Sequence, residues 1–257
     1  MIPLRDENPT LLLPLVTIGL IVANVGAWLY LQGAGMSPEV LGDSVCSWGM
    51  IPAEVTGSTG GYTGIELGPG VPPCSFGGLT WQASLTSMFL HGGWVHLLAN
   101  MWFLWLFGNN VEDSMGHVRF LVFYLLVGLG AAGAHVLSDP ASMVPTVGAS
   151  GAISGIMGAY LLLYPRVRIK TLFFFLFFFR VGVVPAWLVL IVWFASQLLA
   201  GYTNSVAQAG VAFWAHIGGF VAGALLVKLF EDRQLVQARS LGGASGGAGW
   251  RRRMDDS

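Results

Sequence analysis

Six long apolar runs alternate with polar segments along the chain. A helix rises 1.5 Å per residue, so about 20 apolar residues cross the hydrocarbon core of a bilayer. The predicted spans are residues 11–31, 88–111, 119–137, about 147–164, 184–199 and 211–230. The pattern therefore predicts an all-α, polytopic membrane protein built as a bundle of six transmembrane helices.

The segments outside the predicted spans differ in character. Residues 1–10 are polar and are predicted to form an N-terminal tail, whereas residues 231–257, with Gly/Ser repeats and an RRR run, predict a flexible C-terminal tail. Residues 32–87 form a long first loop, rich in Gly and Pro, in which only short helices are expected. Residues 171–182, TLFFFLFFFRVG, are aromatic but contain Arg180, and we interpret them as partly interfacial. The membrane domain is thus residues 11–230.

Composition and charge support this interpretation. The chain has 257 residues, of which 54% are hydrophobic and 10% charged, whereas a soluble domain carries about 25% charged residues. The net charge of −1 does not indicate a nucleic-acid partner. All twelve Lys and Arg residues fall at the termini and in the even-numbered loops, and loops 32–87, 138–146 and 201–210 contain none. By the positive-inside rule both termini are predicted to be cytoplasmic.

Polar side chains interrupt three of the predicted spans at a similar depth. His96 lies roughly 10 Å and His216 roughly 8 Å below the outer surface, and Ser150 lies at a comparable level. Asn100 shares a helix face with His96, since the two are four residues apart. Any one of these residues alone is more simply explained as a hydrogen bond between helices. Four of them at one level are costly unless they line a water-filled cavity or perform chemistry.

The glycine spacing predicts that the fourth and sixth predicted spans pack together. Gly151 and Gly155, and likewise Gly219 and Gly223, have the GxxxG spacing that lets membrane helices touch backbone to backbone. His216 would then reach Ser150 and act as the base that a serine alcohol needs to become a nucleophile. No carboxylate lies at this depth on either span, so the sequence predicts a dyad.

Acyl transfer also requires hydrogen-bond donors for the developing oxyanion. His96 and Asn100 can both donate, and Ser150 lies near a helix N-terminus, where backbone N–H groups lack partners. A metal site is the alternative for a cluster of histidines, but the chain has no HExxH motif and no nearby carboxylate. We therefore predict no metal.

With these residues, the chain resembles the rhomboid family of intramembrane serine proteases. The matching motifs are HGGWVHLLAN at 91–100 with His96 and Asn100, GASG at 148–151 with Ser150, AHxxGxxxG from residue 215 with His216, and GNNVE ending at Glu112. The resemblance covers residues 11–230 and implies a six-helix bundle that cleaves transmembrane protein substrates within the lipid bilayer, without a cofactor. It implies that Ser150 is the nucleophile and His216 the general base and acid. The oxyanion hole would be formed by His96, Asn100 and the Ser150 amide.

The resemblance also assigns supporting residues. His91 matches a family histidine at the mouth of the cavity, and Gly148 belongs to the substrate-binding GASG motif. Some members place an aromatic residue against the histidine, four residues after the serine; here that residue is Ser154, so the support of the His216 ring must differ. Some bacterial members also carry a Trp-Arg pair in the first loop, whereas this loop has no arginine.

The two cysteines, Cys46 and Cys74, both lie in the first loop. They either form a disulfide in an oxidising compartment or remain free thiols. A compact six-span form with basic cytoplasmic loops favours a bacterial inner membrane, with the active site open to the extracytoplasmic side. The sequence indicates no oligomeric state and no natural substrate. The main alternative function is a non-catalytic rhomboid-like protein that binds membrane clients, and a channel or transporter is disfavoured because the spans lack carboxylates.

Overall fold

The protein is mostly helical in the computed structural model, which describes residues 1–66, 68, 71, 73–78, 80–175, 178–203 and 212–236. The helices of the membrane domain and its first loop are α1 (Leu15–Tyr30), α2 (Pro38–Trp48), α3 (Pro52–Thr56), α4 (Ala83–Thr86), α5 (Trp94–Phe103), α6 (Asn109–Met115), α7 (His117–Ser138), α8 (Ser150–Leu163), α9 (Ala186–Thr203) and α10 (Phe213–Phe230). A π-helical turn, Leu104–Gly108, joins α5 to α6. Most of loop 201–210 and of the predicted C-terminal tail lies outside the described residues.

Each predicted span coincides with helical structure. Helices α7, α9 and α10 are long and apolar enough to cross a membrane, and α1 and α8 are shorter apolar helices. The second predicted span is the α5–π–α6 unit, which is divided among three segments. The structure therefore contains helices of the predicted length and apolar character, whereas the count of six crossings stays a prediction.

Helix α8 lies at the centre of the membrane domain, where residues 151–160 are all buried. A Cβ atom added to Gly219 of α10 would overlap the carbonyl oxygen of Gly151, and one added to Gly223 would overlap that of Gly155. Because backbone carbonyls cannot rotate away as side chains do, only glycine fits at these contacts. The close packing of α8 and α10 that the GxxxG spacing predicts is thus confirmed.

A three-stranded antiparallel sheet departs from the predicted all-α class. Its strands are β1 (Ile2–Asp6), β4 (Arg168–Phe175) and β5 (Phe178–Pro185), in the order β1-β4-β5. Aromatic and β-branched residues are common both in strands and in apolar helices. The hydropathy of residues 171–182 therefore did not distinguish a strand from a helix. Strand β1 falls within the N-terminal segment predicted as a tail, and its pairing with β4 is too distant in sequence to be detected from local pattern.

Two buried carboxylates hold the start of α1. Glu112 accepts hydrogen bonds from the backbone N–H groups of Val16 (2.9 Å) and Thr17 (2.8 Å), and Asp113 accepts from the N–H groups of Leu11 and Leu12. The first N–H groups of a helix have no intrahelical acceptor, and their dipole favours negative charge. The G-x-x-x-E sequence therefore serves as an external cap that joins α6 to α1.

The first loop folds against the end of the domain at which α8 begins. It contains the short helices α2 and α3 and a two-residue strand pair, β2 (Gly64–Ile65) with β3 (Cys74–Ser75). The sulfur atoms of Cys46 and Cys74 lie at bonding distance, with their Cα atoms 5.2 Å apart. Met50 and Thr146 form a β-bridge, so this loop also holds the segment that leads into α8.

Candidate active site

Ser150 is the first residue of α8 and lies where an extended segment turns into the helix. The backbone N–H of Gly148 donates to the carbonyl of Ser87 at 2.8 Å, which fixes the approach to the helix. Gly148 has φ +129°, a conformation that residues with a Cβ rarely adopt. The serine therefore sits on a rigid turn beside the N–H groups of the first turn of α8, which have no intrahelical partners.

His216 of α10 contacts Ser150 directly. The ring Nε2 lies 2.7 Å from the Ser150 Oγ, which is hydrogen-bonding distance. The contact depends on the glycine packing of α8 against α10, since Gly219 lies one turn beyond His216 and Gly151 follows Ser150. The structure thus brings together the two residues that the sequence predicts as a dyad.

The ring of His216 has a partner that the sequence analysis missed. Its Nδ1 lies 2.7 Å from the side-chain Oε1 of Gln197 on α9, and the indole of Trp193 lies against it with ring centroids 5.9 Å apart. These two residues contact the His216 ring from α9. Ser154 of α8 instead donates its hydroxyl to the carbonyl of Ser150 at 2.6 Å. A glutamine within an apolar span was the available signal, because polar side chains in membranes need partners.

His96 of α5 presents one nitrogen toward the serine. Its Nδ1 accepts the backbone N–H of Gly92 at 3.3 Å, so in the neutral ring the proton resides on Nε2. A Cβ added to Gly148 would lie 2.8 Å from this Nε2 and 3.6 Å from the Ser150 Oγ. The space that the missing Cβ leaves is therefore bordered by a hydrogen-bond donor and by the serine hydroxyl.

Asn100 and His91 adopt positions that the sequence did not fully predict. The buried Asn100 amide donates to the carbonyl of His96 at 3.0 Å within its own helix, which leaves one of its two N–H donors for another acceptor. His91, expected at the mouth of the cavity, is fully buried and packs edge-on against His96 with ring centroids 5.1 Å apart. Its backbone is held on both sides by Gln32, at 2.7 and 2.8 Å.

Several of the residues described above border one cavity of about 790 Å³, namely Ser150, His216, His96, Asn100, Gly148 and Trp193. A volume of this size accommodates several residues of an extended peptide, and most ligand sites fall in this range. Within the described part of the chain, no three His, Cys, Asp or Glu side chains are grouped so that they could hold a metal ion. The groups available for chemistry are a serine, two histidines and amide donors.

Comparison with known proteins identifies the family. A model described as the Rhomboid domain matches residues 79–233. RHOMBOID-like protein 5 of Arabidopsis thaliana is 32% identical over 149 residues, which cover 58% of this chain and 43% of that protein. Rhomboid protease GluP of Bacillus subtilis is 40% identical over 93 residues, or 36% of this chain and 17% of that protein.

A third relative is the Putative rhomboid protease YdcA of Bacillus subtilis, which is 42% identical over 82 residues, or 32% of this chain and 40% of that protein. The chain spans about half or less of the length of the curated relatives it matches. The family model nevertheless covers more than half of this chain, including both glycine motifs and the Ser150–His216 contact. The chain is an integral membrane protein that belongs to the rhomboid family.

Proposed function

We propose that this protein is an intramembrane serine endopeptidase that hydrolyses peptide bonds in or near transmembrane segments of membrane-protein substrates. The observation that carries the proposal is the 2.7 Å contact between the Ser150 Oγ and the His216 Nε2 at the wall of a large cavity. A serine hydroxyl becomes a useful nucleophile only when a base can accept its proton, and His216 is placed to do so. No cofactor is required, because nucleophile, base and oxyanion donors are all groups of the protein.

In the proposed reaction, the Ser150 Oγ attacks the scissile carbonyl carbon while its proton passes to the His216 Nε2. The tetrahedral intermediate collapses, the C–N bond breaks, and His216 gives the proton to the leaving amine. An acyl-enzyme on Ser150 remains. Water then attacks this ester with His216 again acting as base, which releases the carboxylate product and restores the serine.

The oxyanion of each intermediate is stabilised by the protonated Nε2 of His96, by the free N–H of Asn100 and by the Ser150 backbone N–H. Support comes from the placement of the His96 Nε2 near both Gly148 and the Ser150 Oγ. A fixed donor aimed at developing charge typically contributes a factor of about 10²–10³ to kcat. His91 acts only through His96, whose ring it contacts.

The substrate is a transmembrane helix that reaches the cavity laterally, past α9. Only 17% of the α9 span is buried, against 33% for α7 and 28% for α10, so α9 is the least firmly packed of the three. The substrate helix must unwind, because its backbone carbonyls are otherwise held in internal hydrogen bonds. Small side chains at the cleavage point suit a cavity bordered by Gly148 and Gly151.

We place both termini in the cytoplasm and the cavity on the extracytoplasmic side of a bacterial inner membrane, with six spans. The distribution of Lys and Arg supports this orientation, since the loops on the outer side carry none. The paired position of Cys46 and Cys74 fits an oxidising compartment on that side.

Cleavage of a generic transmembrane substrate in detergent tests the proposal. We expect wild type to cut, and the Ser150→Ala and His216→Ala variants to lose at least about 10³-fold in kcat. Ser138→Ala is the matched control, because this exposed hydroxyl at the end of α7 bonds only within its own turn, to the carbonyl of His135. If wild type is inert, the chain is instead a non-catalytic binder of membrane clients. If Ser150→Ala still cuts, Ser150 is not the nucleophile and the proposed dyad is wrong.

A further inference from the structure

The hydrogen bonds around His216 form a directed chain across three helices. The Ser150 Oγ of α8 lies 2.7 Å from the His216 Nε2 of α10, and the His216 Nδ1 lies 2.7 Å from the Gln197 Oε1 of α9. The Gln197 Nε2 in turn donates to the Ser196 Oγ at 3.2 Å. The Ser196 hydroxyl donates its own proton to the carbonyl of Trp193 at 2.5 Å.

This chain determines which end of the Gln197 amide faces the histidine. The Ser196 hydroxyl has one proton, which the Trp193 carbonyl accepts, so its oxygen can only accept from Gln197. The NH₂ group of the amide therefore points toward Ser196, and the carbonyl oxygen points toward His216. An amide oxygen accepts but does not donate, so His216 must carry its proton on Nδ1.

We propose that Gln197 is a positioning residue that holds His216 in the tautomer and orientation needed to accept the Ser150 proton, an inference that rests on the proposed protease function. With the proton on Nδ1, the Nε2 lone pair faces the serine hydroxyl. When His216 becomes protonated in the reaction, the amide dipole also stabilises the charged ring. Gln197 thus performs the orienting task that a carboxylate performs in a Ser-His-Asp triad, with a neutral group.

Trp193 completes the support from the same helix. It lies one turn before Gln197 on α9, and its ring meets His216 at an interplanar angle of 39°. The hydrogen bond and the ring contact together restrict rotation of the imidazole about both side-chain torsions. Ser154, in contrast, uses its hydroxyl within α8 and contributes no such contact.

The test compares Gln197→Met, which keeps the length of the side chain but removes the acceptor, with Gln197→Glu, which keeps an acceptor and adds charge. Leu198→Met is the matched control, since it introduces the same side chain at a neighbouring position that is 44% exposed. For each variant, kcat, KM and the pH dependence of kcat/KM are measured with a transmembrane substrate. Active sites are counted by labelling with a serine-reactive fluorophosphonate.

We expect Gln197→Met to lower kcat by about 10- to 100-fold per labelled site, with little change in KM, as fits the loss of one hydrogen bond to a group charged in the transition state. We expect Gln197→Glu to recover much of that loss and to move the acid limb of the profile to higher pH. The reason is that a carboxylate favours the protonated ring, so the base becomes free only at higher pH. The other titratable groups that act on His216, His96 of α5 and His135 of α7, are unchanged in every variant.

Three results would overturn the inference. If Gln197→Met matches Leu198→Met in kcat and in pH profile, Gln197 does not position the base, while cleavage by wild type would leave the proposed function intact. If Gln197→Met only reduces the number of labelled sites, its role is limited to packing. A wild-type protein that neither cleaves nor reacts with the phosphonate would overturn the protease proposal and this inference together.

Discussion

Replacement of Gly148 by alanine tests the proposed oxyanion hole through a single methyl group. Gly148 has φ +129°, so alanine there costs about 1–3 kcal/mol of backbone strain. The new Cβ would lie 2.8 Å from the His96 Nε2 and 2.9 Å from its Cε1. The ring would have to retreat by about 0.6 Å to reach the 3.4 Å at which ordinary contact begins.

A shift of this size removes the His96 donor from the position at which it would meet the oxyanion. Loss of one such donor costs about 10²–10³ in kcat, so we expect a decrease of about 100-fold in Gly148→Ala. KM should change little, because the lost interaction forms mainly in the transition state. The assay is cleavage of a transmembrane substrate in detergent, with active sites counted by fluorophosphonate labelling and the melting temperature recorded in parallel.

Gly133→Ala is the matched control, because a Cβ there meets nothing within 4 Å and the residue lies inside α7. Alanine should stabilise that helix by about 0.5–1 kcal/mol without affecting cleavage. If Gly148→Ala keeps the kcat of wild type, His96 is not an oxyanion donor at this position. If kcat per labelled site is unchanged and only the labelled fraction falls, the glycine serves folding alone.

Three further outcomes follow from the packing. Gly219→Ala should abolish cleavage and lower the melting temperature, while Gly133→Ala does neither, because the added Cβ forces α10 away from α8; cleavage at the wild-type rate would contradict this. Glu112→Gln should destabilise the protein by about 1.5–3 kcal/mol in thermal melting, since the charged cap of α1 is lost, and an unchanged melting temperature would exclude that role. Cys46 and Cys74, 28 residues apart, should resist alkylation until reduced, and reduction should cost about 3–4 kcal/mol of stability; immediate alkylation would show free thiols.

The proximity of Ser150 and His216 could be predicted from the sequence because the signals for it are local. Ser150, His96 and His216 are polar residues at one level of the predicted apolar spans, and the GxxxG spacings indicate which helices touch. Those features depend only on helical rise and on residue size, so they can be read without tertiary information. The contact between Ser150 and His216 follows from them.

Gln197 could not be placed from the sequence, because no spacing rule indicates how α9 is rotated toward α10. Strand β1 was missed for a related reason, because its partner β4 lies more than 150 residues away. The polar residues 1–10 also show no periodic pattern that would indicate a strand. Asn100 lies on the predicted helix face, but its amide also donates to the carbonyl of His96. The helical period alone does not show whether a polar side chain bonds to its own helix in this way. Contacts that depend on the lateral arrangement of helices therefore require the structure.

The most direct measurement of the central claim is the site of reaction with a serine-reactive fluorophosphonate, determined by peptide mass spectrometry. The proposed dyad predicts one adduct, on Ser150, in wild type, and its loss in His216→Ala, because the histidine must remove the serine proton. The assignment of Ser150 as nucleophile would be contradicted if wild type forms no adduct or forms it on another serine. The assignment of His216 as base would be contradicted if the adduct forms at the same rate in His216→Ala.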